Sequence, residues 1–189
     1  RPQAVAARPT TPGPRATGSF SRAFMLPAVS SLGAEQTLIL PPGMERHPVA
    51  GGGTRAIDLA AGDRFWILDK EGQQPAEMVF FDVQGNARAG FIGATASGAP
   101  LRLQKALAEG GREGRAVLDA LARSGFDLGR AEAVSVFAGG SAPADYQEFE
   151  AACDGLLLVG AVGERMTPDQ SSPLTELVLY VRRRKRLNE

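Results

Sequence analysis

Cysteine and histidine occur once each in this sequence, at Cys153 and His47, and tryptophan once, at Trp66. A single cysteine rules out an internal disulfide, which fits a reducing compartment. A structural zinc site takes about four Cys or His ligands, and a catalytic one about three from Cys, His or carboxylate. Cys153 and His47 supply two at most, so carboxylates would have to complete any set. Ser–His–Asp or Cys–His catalysis would have to run through His47, which lies between Arg46 and Pro48 in what reads as a turn. A solvated loop histidine is the expectation there. Cys153 stands just before an apolar run, and nothing around it in sequence lowers a thiol pKa, so it is read as structural.

An excess of one charge is also missing. Twenty-one basic residues balance 21 acidic ones, so no global field draws the chain to nucleic acid or to membranes. The longest apolar run, Gly155 to Val162, is far too short to cross a bilayer. No acidic residue precedes Glu35, and residues 1–19 are rich in Pro, Ala and Arg without apolar periodicity. Such a segment cannot bury enough surface to offset its ordering entropy, so a basic linker is expected in preference to a targeting peptide. Phe20, Phe24, Met25 and Leu26 are expected to pin the following stretch onto the domain or onto a neighbour. The sequence therefore divides into an arm and docking segment (1–36), a β-rich domain (37–182) and a basic linker (183–189).

What is present is strand. Hydrophobic residues make up 43% of the chain, enough for a real core. A short strand is expected at 37–40, stopped by Pro41-Pro42-Gly43. Arg55 to Leu59 and Phe65 to Leu68 flank the tight turn Ala61-Gly62-Asp63. Met78, Val79, Phe80 and Phe81 run without a polar break inside Glu77 to Val83, which predicts a strand covered on both faces. Leu101, Leu103 and Leu107 mark a short amphipathic helix ending at Gly110-Gly111. Arg112 to Ser124 predicts a second helix, with Val117, Leu118 and Leu121 inward, Arg115, Asp119 and Arg123 in water, and Gly125 as the stop. Strands return at Ala133–Phe137, Tyr146–Ala152, Leu156–Val162 and Leu177–Val181. The pattern predicts an α+β fold, a mainly antiparallel β barrel or sandwich with two short helices in the middle, and lacks the alternation of a doubly wound fold.

Three constellations carry the chemistry that remains. Gly51-Gly52-Gly53-Thr54-Arg55 invites an anion, with Arg55 as a clamp. It leads into a strand and lacks the Lys-Ser/Thr ending of a phosphate loop, so a mobile hairpin loop is expected, as for Gly139-Gly140-Ser141. Asp69, Glu71 and Glu77 cluster around a turn, and paired carboxylates can do acid–base work; their spacing reads as charges on a solvated face. Arg182 to Arg186 is a basic run without aromatic interleaving, expected to be a strand end passing into a linker.

The stretch from Leu38 to Arg182, about three quarters of the chain, resembles the urea carboxylase-associated family. The resemblance rests on AIDLAAGDRFWILDKEGQQPAEMVFFD, ADYQEFEAACDGLLLVGAVGERMTPD and SSPLTELVLYV. It implies a β-rich, barrel-like domain whose catalytic members hold a cysteine-ligated zinc. The places where those members carry cysteines hold Val162 and Asp169 here. The family's His/Cys-bearing stretch before the helices is missing, and Cys153 lies on the wrong side of a strand. No metal ligand carries over, and the Glu71-Gly72-Gln73 turn carries over as architecture. Such a degenerate copy is similar to the N-terminal domain of trimethylamine N-oxide demethylase-type, folate-linked aminomethyltransferase proteins.

That resemblance implies a non-catalytic accessory or assembly domain of a cytoplasmic, oligomeric demethylase. Its partner would be a catalytic zinc-bearing copy, in the same longer chain or in a separate subunit, with zinc and tetrahydrofolate held outside this domain. Met78 to Phe81 and Phe20 to Leu26 would supply contact surface. Two alternatives stay open: a subunit completing a carboxyguanidine deiminase-like site through Arg55 or Asp169, and a small-ligand module using Gly51 to Arg55.

Overall fold

A computed structural model describes residues 40–163 and 174–184. The arm at 1–36, the expected strand at 37–40 save Leu40, Asp169 and residues 185–189 lie outside the described residues, and Leu40 itself is not in a strand. The described residues form strands β1 (Met44–Val49), β2 (Thr54–Leu59), β3 (Arg64–Asp69), β4 (Ala76–Asp82), β5 (Val134–Val136), β6 (Asp145–Glu150), β7 (Gly155–Gly160) and β8 (Leu177–Arg182). Helices α1 (Leu101–Glu109) and α2 (Gly111–Arg123) lie between β4 and β5. Each strand and helix expected within the described residues is there. β1 was not expected. Pro41-Pro42-Gly43 turns into it, with Gly43 at φ +78°, and Pro48 is tolerated because β1 pairs only with β8 and needs no donor on its outer side.

The strands make two antiparallel sheets, in the orders β1-β8-β3-β6 and β2-β7-β4-β5. Apart from β4 and β5, every pair of consecutive strands changes sheet. This order is that of a double-sheet jelly roll. The short turns expected to close hairpins therefore cross between sheets. The Gly51-Gly52-Gly53 turn joins β1 of one sheet to β2 of the other, and its placement is fixed by Gly52 N–H donating to the Ala161 carbonyl at 2.8 Å.

All seven residues of β4 are buried. Met78 and Phe80 face the space between the sheets with Ile57, Phe65, Ile67, Leu157, Val159, Leu177 and Leu179. Val79 and Phe81 face the other way, against Leu103, Leu107, Leu121 and Leu158 beneath the helices. Each such large side chain contributes about 1.5–3 kcal/mol on burial. Leu103 and Leu107 are the buried leucines of α1; Leu101, placed with them from the sequence, is 67% exposed, because it begins the helix on its outer side. The helices meet where α2 offers Gly114, since a Cβ there would collide with the Leu107 carbonyl.

α1 starts at Pro100 without a side-chain cap, and β4 supplies the acceptor instead. Glu77, 5% exposed, takes the Leu103 N–H at 2.7 Å. Burial pushes this carboxyl up, against the opposing pull of the Leu103 N–H and Arg102. The folded chain thus holds the proton more tightly than the unfolded one. The resulting stability is full below about pH 4.5 and is lost as pH rises through the folded value. Glu77→Gln is expected to be at least as stable as the parent near pH 7 and to show a flatter stability profile above pH 4.5, read by thermal melts across that range. Gly114→Ala is expected to cost about 1–3 kcal/mol in urea unfolding by forcing α1 and α2 apart.

Candidate functional site

The interior of a jelly roll is where a ligand would sit if side chains left room. Here large apolar groups fill it: Phe65, Ile67, Met78, Phe80, Leu157, Leu177 and Leu179 are each at most 1% exposed. Polar chemistry is pushed to the two ends of the barrel and to its helical flank.

At one end Asp69 is fully buried at the close of β3. Its carboxylate accepts from Gly72 N–H at 2.9 Å, Gln74 N–H at 2.8 Å and the Ser141 hydroxyl at 2.5 Å. Gln73 donates its side-chain amide to the Ser141 carbonyl at 2.7 Å, while Gln74 reaches the Val162 carbonyl and accepts from Thr175 N–H. The positive-φ non-glycine residues of the described chain gather here: Gln73 at 64°, Phe137 at 60° and Ala144 at 67°. A bulky residue such as Phe137 holds that conformation only when its surroundings impose it. The Glu71-Gly72-Gln73 turn is thus an element of this corner. A Cβ on Gly72 would lie 2.9 Å from Pro143 N, so the approach of the two loops requires glycine.

These contacts correct the reading of the acidic cluster. Asp69 and Glu77 are buried and hydrogen-bonded, and only Glu71 is solvated. The three are not brought together: Glu77 lies under α1 and Asp69 in the loop corner. Ser141, expected in a mobile loop, is buried and bonded to Asp69.

At the other end Arg183 closes the seam between the sheets. Its guanidinium forms two bonds with Glu45, at 2.8 and 2.9 Å, and one with buried Asp63 at 2.9 Å, and it donates to the Asp58 carbonyl at 2.6 Å. Asp63 also accepts from Ala60 and Arg184 N–H groups. His47 belongs to this network and not to a solvated loop: it is in β1, on the face of Val49, with Nε2 3.0 Å from a Glu45 oxygen. The Arg183 bonds hold the Glu45 carboxyl below its ordinary range, and Glu45 and Asp63 raise the guanidinium. Neither Asp63 nor Arg183 was marked as structural from the sequence; Asp after Gly in a tight turn was the available signal.

Cys153 is half-buried, and burial with Asp82 and Asp154 nearby pushes its thiol up, away from the reactive thiolate. Val162 is a buried aliphatic side chain whose carbonyl is engaged by Gln74. No group of three or more His, Cys, Asp and Glu among the described residues is placed to hold a metal ion. A cleft of about 320 Å³ runs beside α1, lined by Gly52, Arg102, Lys105, Ala106, Val162 and Leu174 among others. The two cations at i, i+3 of α1 were not singled out from the sequence, and Arg55 does not line the cleft.

No family model matches the sequence. Over 157 residues the chain is 33% identical to trimethylamine-oxide aldolase of Ruegeria pomeroyi, an alignment covering 83% of this chain and 20% of that protein. The chain is a relative of trimethylamine-oxide aldolase. That is the relationship to demethylase-type proteins expected from the motifs, and the chain spans about a fifth of the relative's length. Two solved structures share shape at a low level. A DUF1989 family protein from Silicibacter pomeroyi aligns with TM-score 0.45 and 15% identity, over 74% of this chain and 78% of that one. A de novo designed double-stranded β-helix aligns with TM-score 0.29 and 10% identity, over 74% and 95%. The strand order given above, and not these overlaps, defines the fold. Among the described residues no helix is long and apolar enough to cross a membrane.

Arg183→Gln is expected to lower stability by about 2 kcal/mol, because Glu45 and Asp63 lose charged donors. The Glu45 contribution is full above pH 4.5 and lost as pH falls through the depressed folded value, so the variant is expected to show a smaller acid loss in chemical unfolding below that pH. Asp69→Ala strands the Gly72 and Gln74 N–H groups and the Ser141 hydroxyl, each worth about 1–3 kcal/mol, and is expected to leave the chain unfolded or close to it by circular dichroism.

Proposed function

We propose that this domain is a zinc-less, non-catalytic accessory copy in a folate-linked methylated-amine demethylase. The observation that carries the reading is the filled barrel: Phe65, Ile67, Met78 and Phe80 occupy the space in which a metal and substrate would react. Kinship with a segment of trimethylamine-oxide aldolase supports the setting. In this reading a zinc-bearing copy, in the same polypeptide or in a partner subunit, acts on the methylated amine. A further domain takes the released one-carbon unit onto tetrahydrofolate, and the assembly works as a cytoplasmic oligomer. This domain would contribute shape and stability to the assembly and no reacting group.

In the native source, an antibody against the domain is expected to detect a polypeptide or stable complex much heavier than 19.8 kDa that releases formaldehyde from trimethylamine N-oxide. The 189-residue chain alone is expected to release none. Formaldehyde release by the chain alone, or a free native species of 19.8 kDa, would overturn the reading.

A further inference from the structure

We propose that the cleft beside α1 binds a small organic carboxylate. Arg102 and Lys105 stand three residues apart on α1, on the side that lines the cleft. No ion pair joins either of them to another described residue, although the Arg102 charge and backbone N–H favour the ionised form of the buried Glu77 carboxyl. Ala106, Val162 and Leu174 supply an apolar wall. One acidic side chain, Glu109, lies a helical turn further along α1 from Lys105. A ligand with one anionic end and a short apolar body matches this division, whereas an organic cation would meet two like charges.

The glycine turn shapes the cleft and does not cradle the charge. Gly52 and Gly53 spend their N–H groups on the carbonyls of Ala161 and Ala50, both at 2.8 Å. A Cβ on Gly51 would lie 2.5 Å from the backbone of Leu174, so glycine allows the turn to close against that residue and form the wall. The anion is therefore held by the α1 side chains. The volume, about 320 Å³, suits a ligand at the small end of the usual range for such sites. The inference does not depend on the accessory role proposed above, and it concerns a surface that role leaves unused.

Titration of the full 189-residue chain with butyrate, followed by methyl resonances, is the test. Butyrate is expected to shift Ala106, Val162 and Leu174 saturably, and butylammonium to leave them unmoved. Arg102→Gln with Lys105→Gln is expected to weaken butyrate binding by about tenfold or more, with the circular dichroism spectrum of the folded chain preserved. Arg115→Gln with Arg123→Gln removes the same charge from the exposed face of α2 and is expected to change nothing. A flat response to butyrate, an equal response to butylammonium, or equal weakening by the α2 pair overturns the site. Inorganic phosphate bound as tightly as butyrate overturns the organic carboxylate as its ligand class.

Discussion

Burial of β4 on both faces is the constraint on which the rest of the structure depends. Met78 and Phe80 need a cover on one side, and Val79 and Phe81 need another. The second sheet provides the first, and the α1–α2 pair provides the second. β7 shares the burden, because its register with β4 sets Leu157 opposite Phe80 on one face and Leu158 opposite Val79 on the other. Gly155 opposite Asp82 leaves room for the Phe81 carbonyl and the Phe80 ring, with which a Cβ would collide. Large apolar side chains of both sheets thereby occupy the inner face.

Polar groups then serve the barrel's ends. Asp69 folds two loops onto each other at one end, and Arg183 ties β1, the β2–β3 turn and β8 at the other. In both places a carboxylate removed from water is met by several donors, which makes such burial tolerable. Glu77 differs, since the backbone N–H groups of Leu103 and Arg102 and the Arg102 charge do not fully offset its desolvation. Glu45 and Glu77 accordingly respond to pH in opposite directions. The first stabilises the charged form of the fold and the second favours its own proton.

The functional reading follows from that division of labour. The accessory role proposed above draws on an interior of hydrocarbon and on buried acids committed to donors of the protein itself. Its remaining open chemistry is at the surface. The basic side of α1 faces an apolar wall there, beside a glycine turn that packs where a side chain would not fit.

The sequence by itself determined the described strands other than β1, both helices and the β-rich class, because apolar periodicity and glycine stops are local signals. The unbroken run from Met78 to Phe81 announced double burial, and the motifs from Leu38 to Arg182 announced the kinship. Which strands pair was decided only in three dimensions. The loops at Gly51 to Arg55 and Gly139 to Ser141 read as hairpins, yet they cross between sheets, since a jelly roll pairs β1 with β8 and β3 with β6 across long stretches of chain. The same non-local pairing put His47 into a strand, brought Arg183 to Glu45 and Asp63, and set Ser141 on Asp69. A charge looks solvated in sequence until the fold delivers its partners, and those partners lie 72 to 138 residues away for Asp69 with Ser141 and Glu45 with Arg183.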